Sequence, residues 1–296
     1  VLAVPRAGSK RAVERQERGG SAAGAWRSRV RVLGTRPSIG GMRFAKGHGT
    51  ENDFVILPDP DGELELTEET VRLLCDRRAG LGGDGILRVV RTSARGEALA
   101  PAARTGERPE WFMDYRNADG SVAEMCGNGV RVFARYLLHA GLVFENRFEI
   151  GTRDGAKQVS IEDDGQVTVD MGRVEMQGSS SAKLARQAVH GAQISVGNPH
   201  LACEVTGPVA DVDLSEPPVL DPEAFPEGAN VEVYARTGPG SLEMRVFERG
   251  SGETRSCGTG IVAAASAATQ SGESATWKVR VLGGECTVLL LSLIHI

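Results

Sequence analysis

The chain has 296 residues, 41% of them hydrophobic and 25% charged. That length suits one large domain or two ordinary ones, and the composition supports a buried core, which excludes a wholly disordered protein. Nine basic and two acidic residues lie in Val1–Gly41, leaving 25 basic and 37 acidic residues beyond it. A body this acidic does not suit the neutralisation of nucleic-acid phosphates, and no apolar run approaches the roughly 20 residues of a membrane-spanning helix.

Glycine is abundant, at 38 residues. It has no collagen period and gathers in short motifs, as tight turns and exposed backbone amides require. The five cysteines (Cys75, Cys126, Cys203, Cys257, Cys286) are widely spread and form no C-x-x-C pair. That spacing disfavours a structural zinc site or a secreted disulfide framework and fits reduced thiols in a cytoplasmic compartment.

Residues 1–41 are rich in Arg, Ala, Gly and Ser and carry no sustained apolar period. They read as a disordered or non-native leader ahead of a start at Met42, the other reading being an organellar transit peptide. From Met42 onwards short strands and helices are mixed. Asp53–Leu57 reads as a strand stopped by Pro58, and Thr67–Arg78 as a helix capped by Thr67. Gly80–Gly85 reads as a glycine turn into the strand Ile86–Val90, and Arg91–Pro109 as a polar loop.

An internal repeat follows. Cys126-Gly127-Asn128-Gly129 opens the apolar helix Val130–Ala140, and Cys257-Gly258-Thr259-Gly260 opens Ile261–Ala268. Each cysteine has a polar residue nine positions before it, Asn117 or Glu248. Two copies so far apart predict two similar half-domains and not a solenoid.

A cysteine at a helix N-terminus sits near free amides and the positive end of the macrodipole, which favours thiolate. Flanking glycines let a ligand approach those amides closely. If the halves face each other, one small acid could place its carboxylate on both helix starts with a cysteine on each side of its α-carbon. One thiolate would remove the α-proton and the opposite thiol would deliver another. The bland alternatives are a small core thiol, a turn asparagine at Asn128, a structural His200 and a solvated Glu248–Arg249 pair.

Six ordered segments carry a resemblance to a known family. They are His48–Phe54, Arg78–Gly85, Asn117–Gly120 with Met125–Gly129, Gly197–His200, Asn230–Glu232, and Glu248–Gly250 with Cys257–Gly260. In this pattern the chain resembles the diaminopimelate epimerases, from Met42 to about Val281. The resemblance implies an α/β (α+β) fold of two pseudo-symmetric halves, each a curved sheet wrapped around a central helix, with the active site in the cleft between them. It implies Cys126 and Cys257 as the acid–base pair, with His200 and Glu248 poising them. Amides of Gly127, Asn128, Gly258 and Thr259 would hold the reacting carboxylate. Asn52, Asn117, Asn198, Asn230, Glu248 and Arg249 would hold the amino groups and the distal carboxylate. No cofactor and no metal is implied; the partner is a small-molecule substrate, and the expected assembly is a homodimer in the cytoplasm.

The expected divisions are a leader at 1–41, half-domains at 42–152 and 153–281, and an aberrant or truncated tail at 282–296. Three departures from the family stand out. Gly85 replaces a Gln found in some relatives, Glu51 enters a small-residue turn, and the end Leu289–Ile296 is apolar on both faces. The tail reading predicts an unpaired sheet edge on the first half. Competing functions are a two-cysteine proline or hydroxyproline racemase and a thiol redox protein. The clamp of Asn117, Asn198, Asn230 and Arg249 argues against both.

Overall fold

A computed structural model describes residues 2–3, 38–39, 42–94, 108–185, 187–269 and 273–291. Most of the expected leader, most of the loop between Arg91 and Pro109, and the tail after Leu291 lie outside the described residues. In chain order the first elements are β1 (Leu2–Ala3), β2 (Ser38–Ile39), β3 (Met42–Arg43), β4 (Ala45–Gly49), β5 (Asn52–Pro58), α1 (Glu68–Cys75), β6 (Gly85–Arg91), β7 (Trp111–Asn117), α2 (Gly127–His139), β8 (Arg147–Thr152), β9 (Gly155–Ile161) and β10 (Val167–Val169). Then come β11 (Glu175–Lys183), β12 (Ala188–Ser195), β13 (Pro199–Glu204), β14 (Val219–Leu220), β15 (Asn230–Gly238), β16 (Ser241–Glu248), β17 (Gly252–Thr254), α3 (Gly258–Ala267), β18 (Ala275–Val281) and β19 (Gly284–Leu290).

The repeat seen in the sequence is also a repeat of topology. From β4 to β9 the pairings run antiparallel, parallel, antiparallel, parallel, antiparallel, skipping no strand. The same order runs through β12, β13, β15, β16, β18 and β19. Each parallel step needs a crossover, and α2 and α3 supply the equivalent one in the two halves. α3 is apolar on nearly every side, as a helix enclosed by a sheet is, while α2 keeps Asn128 and Arg131 among its buried residues. Gly127 to Ala134 are all buried in α2, and Gly258 to Ser266 in α3. Accordingly α2 packs on β4, β5, β6, β7, β9 and β10, and α3 on β12, β13, β15, β16, β18 and β19. One apolar core runs through both halves, from Phe133 and Leu137 to Ile261, Val262 and Val288.

Local chemistry sets the ends of the elements. Thr67 caps α1 as expected, its Oγ1 accepting from the Thr70 amide at 3.2 Å. The helix stops at Cys75, short of Arg78, because Asp76 Oδ1 captures the amides of Arg78 (2.7 Å) and Ala79 (2.6 Å). The glycines before Val130 and Ile261 belong to the helices, which begin at Gly127 and Gly258.

Two expectations need correction. The boundary at 152 falls inside a hairpin, since β8 and β9 pair from Arg147↔Ser160 to Thr152↔Gly155. β10 then pairs with β9, so the first half continues to about Gly172. Nor is the edge of β10 unpaired: Leu2 faces Val169 on one side and Val288 on the other, so β1 joins β10 to β19. In β19 the pattern still alternates, with Cys286 and Val288 buried while Leu289 is exposed. Leu291 beyond it is exposed too.

The two helix starts meet backbone to backbone. A Cβ added at Gly258 would lie 3.0 Å from Gly127 Cα and 3.2 Å from the Asn128 nitrogen. One added at Gly127 would meet the flexible end of Met171 at 3.0 Å. Gly258→Ala should therefore cost about 1–3 kcal/mol of stability by overpacking and displace the helix starts. Gly127→Ala should cost less, because a methionine can yield where a backbone cannot. Thermal melts of the two variants check the order; equal losses would show that the helices separate freely.

Candidate active site

A cleft of about 1120 Å³ opens where α2 and α3 meet, lined by residues of both halves, among them Asn52, Tyr115, Cys126, Asn198, Glu248 and Cys257. Each cysteine is the N-cap of its helix, in extended backbone conformation (φ −140° at Cys126, φ −120° at Cys257). The Gly129 amide donates to Cys126 Sγ at 3.4 Å, and Cys126 Sγ lies 3.7 Å from Asn52 Oδ1. Cys257 Sγ lies 3.4 Å from Thr259 Oγ1 and 4.0 Å from Asn230 Nδ2. The amides of Gly127, Asn128, Gly258 and Thr259 are the first of their helices, where no intrahelical carbonyl is available to them.

The expected preference for thiolate is overruled. Burial pushes the Cys126 thiol up to about 12, with the Glu248 carboxylate adding to it, against the opposing pull of the Gly129 and Asn128 amides and Arg131. Burial also holds Cys257 well above its ordinary value, helped by Glu248 and Glu232. Desolvation here outweighs the helix ends. Glu248 is itself raised by burial, while Thr254, whose hydroxyl donates to it, and Cys257 stabilise its charged form.

The polar residues expected from the sequence are brought together, with two exceptions in detail. Asn52 donates to Asp84 Oδ2 at 2.8 Å, Asn117 donates to Ser121 Oγ at 3.0 Å, and Asn198 donates to Thr259 Oγ1 at 3.4 Å. Asn230 Oδ1 accepts the Arg249 amide at 2.9 Å, and Arg249 Nη1 donates to Glu227 O at 3.1 Å beside the cleft. The exceptions are Asn128 and His200, both fully buried behind the wall. Asn128 Nδ2 donates to Ser256 O at 3.0 Å and to Asn52 Oδ1 at 3.2 Å, and its Oδ1 accepts from Arg131. Its side chain is fully engaged, and its backbone amide holds the Cys126 sulfur together with that of Gly129. His200 touches no cysteine: Nδ1 is 2.8 Å from Glu232 Oε1 and Nε2 is 3.0 Å from Asn198 Oδ1. Its ring instead holds Asn198, which reaches Thr259 on the other side.

Sequence reasoning missed Glu232, Tyr115 and Ser256. Glu232 is fully buried, with one carboxylate oxygen lacking a partner among the described residues. Its signal was available: a glutamate inside the apolar strand run Val231–Tyr234. Tyr115 lies edge-on to Phe54 at 5.9 Å, and its ring fills the space a side chain at Gly85 would need, 2.8 Å from the Cβ position. Ser256 Oγ meets Thr50 Oγ1 at 2.7 Å across 206 positions of sequence. Glu51 reaches over to Arg255 of the other half, an exposed pair that contributes little by itself.

Because a neighbouring carboxylate disfavours a thiolate, Glu248→Gln should lower the pKa of both thiols. Below that pKa the thiolate fraction rises tenfold per pH unit, so alkylation by iodoacetamide at pH 8 should speed up several-fold at Cys257 and less at Cys126. Peptide mapping of the alkylated cysteines reads this directly, and slower labelling in the variant would reverse the assigned sign.

The family model for diaminopimelate epimerase matches residues 44–177 and 192–291. A diaminopimelate epimerase of Thermobifida fusca is 70% identical over 251 residues, covering 85% of this chain and 92% of the relative. One of Rhodococcus opacus is 52% identical, covering 84% and 90%. Among solved structures, a hydroxyproline epimerase from Agrobacterium vitis shares the fold at a TM-score of 0.55 and 15% identity, covering 86% of this chain and 84% of that one. A probable proline racemase from Agrobacterium radiobacter does so at 0.55 and 15%, covering 82% and 83%. With the family model spanning most of the chain and a relative this similar, the chain belongs to the diaminopimelate epimerase family.

Proposed function

We propose that this protein interconverts LL-2,6-diaminopimelate and meso-diaminopimelate by a two-base mechanism without a cofactor, serving lysine and peptidoglycan-precursor synthesis. The observation that carries it is the head-on meeting of two cysteine-capped helix starts in one cleft, in a chain of this family. The reacting carboxylate sits on the amides of Gly127, Asn128, Gly258 and Thr259, where two macrodipoles favour an anion. That places a thiol on each face of the α-carbon.

Both thiols rest protonated, so one proton must leave before chemistry. Glu248, beside Cys257 and with its own pKa raised, is the acceptor we assign. The Cys257 thiolate then takes the α-proton, and the Cys126 thiol gives its proton to the opposite face. In the reverse direction the two exchange roles. Asn52, Asn117, Asn198 and Asn230 supply donors and acceptors for the amino groups and the distal carboxylate, and Arg249 offers that carboxylate a fork. A proline ring has no distal carboxylate for such a clamp to hold. We carry over the homodimer and the cytoplasmic location expected from the resemblance. Light scattering of the purified chain tests the first.

In deuterium oxide, newly formed meso product should carry solvent deuterium at the inverted carbon before the remaining LL substrate does. Equal early labelling would indicate a single base and sink the scheme. Cys126→Ala and Cys257→Ala should each abolish inversion, because either face then lacks its partner. Arg249→Lys keeps charge but loses the fork, and kcat/KM for LL-diaminopimelate should fall by about 2–4 kcal/mol of transition-state stabilisation. Unchanged kinetics would return the proline-type substrates to contention.

A further inference from the structure

Arg131 lies one turn into α2 and is only 2% exposed. Its Nη2 donates to Thr50 Oγ1 at 3.1 Å and to Asn128 Oδ1, its Nη1 approaches Cys286 Sγ at 3.6 Å, and its Nε has no partner. No carboxylate pairs with it among the described residues. A buried guanidinium without a counter-ion is costly, and a cation in the first turns of a helix opposes the macrodipole. A residue needed only for packing would be Leu or Met there.

What the guanidinium holds is unusual too. Thr50 and Glu51 form the two-residue turn between β4 and β5, and both have positive φ (51° and 61°). That conformation is uncommon for side chains other than Gly, Asn and Asp and disfavoured for a β-branched one, and it persists only when its surroundings enforce it. Here Thr50 Oγ1 is gripped by Arg131 on one side and by Ser256 of the opposite half at 2.7 Å on the other. Gly283 makes room for the turn from behind, since a Cβ there would overlap Thr50 O. Asn128, the other Arg131 partner, also reaches Ser256, through its carbonyl at 3.0 Å. Ser256 directly precedes Cys257, and Asn128 is two residues from Cys126.

We propose that Arg131 is a positioning residue. Its buried guanidinium locks Thr50 and Asn128 onto Ser256, holding the Cys126 and Cys257 helix starts in register across the two halves while its charge supports a thiolate on Cys126. The role rests on the two-base reading given above. Among the described residues the cleft that Cys126 lines also holds Arg77, Asp84, Tyr115, Glu248, Arg249, Arg255 and Cys257; Glu248 opposes a thiolate on Cys126 and Arg131 favours it.

The test uses the full chain and two readouts: iodoacetamide labelling of Cys126 from pH 7 to 9.5, and kcat and KM with LL-diaminopimelate. Arg131→Met should label at Cys126 at least fivefold more slowly at each pH and lose more than tenfold in kcat, with KM changed less than threefold. Arg131→Lys should restore the labelling rate but not kcat, since it keeps the charge without the fork. Thr50→Val, which keeps the shape but removes the hydroxyl, should lower kcat and leave labelling near that of the parent chain. If Arg131→Met does not fold, the Lys and Val variants carry the test, and wild-type-like kcat in both overturns the proposal. So does Arg131→Met with unchanged labelling and at least half of the parent kcat, whatever its melting temperature. Parent chain that does not act on LL-diaminopimelate refutes the proposed substrate, while the labelling comparison still decides whether Arg131 supports the Cys126 thiolate.

Discussion

Two helices end nose to nose in this protein, and the rest of the structure accommodates that contact. Gly127 and Gly258 are in backbone contact, so two positive macrodipole ends, each worth about half an elementary charge, face a common space. Like poles held together need an anion or a surrounding that tolerates the repulsion. The curved sheets force the approach by enclosing α2 and α3 on nearly every side, leaving only the helix starts free to face the cleft. A binding site for a carboxylate is thus a consequence of how the halves pack.

The same enclosure sets the chemistry of the thiols. Helix ends alone would favour thiolates, yet burial and the Glu248 carboxylate drive both cysteines the other way, with Glu232 adding to it at Cys257. A resting pair of protonated thiols is chemically quiet, which protects it from oxidation and adventitious alkylation. It also makes ionisation of one thiol part of the work of catalysis. The carboxylate that disfavours the thiolate, Glu248, is also hydrogen-bonded to Cys257, so in the proposed scheme a single residue acts on both sides of that balance.

How much of this was legible in sequence depends on range. The Cys-Gly-x-Gly starts, the Thr67 cap and the strand around Phe54 are set by neighbours within a few positions, and they appear where the pattern puts them. The family motifs, read in order, led to the cleft residues. Contacts that tie the halves together were not legible: Thr50 meets Arg131 across 81 positions and Ser256 across 206. A boundary at residue 152 looked natural from the motifs, but only the hairpin register shows that β9 and β10 stay with the first sheet. The thiol shifts depend on total burial, which no local motif encodes.

The alternation of antiparallel and parallel pairs has a consequence for synthesis. Every parallel step joins strands separated by a crossover, and such non-local pairings form slowly. The α2 half is complete in the nascent chain by about Gly172, whereas α3 and β18 lie about 100 residues further on. At roughly 5–20 residues per second, the first half waits several seconds on the ribosome for its counterpart. During that interval the amides at the start of α2 face water instead of Gly258, and the Thr50 turn has no Ser256 to grip it.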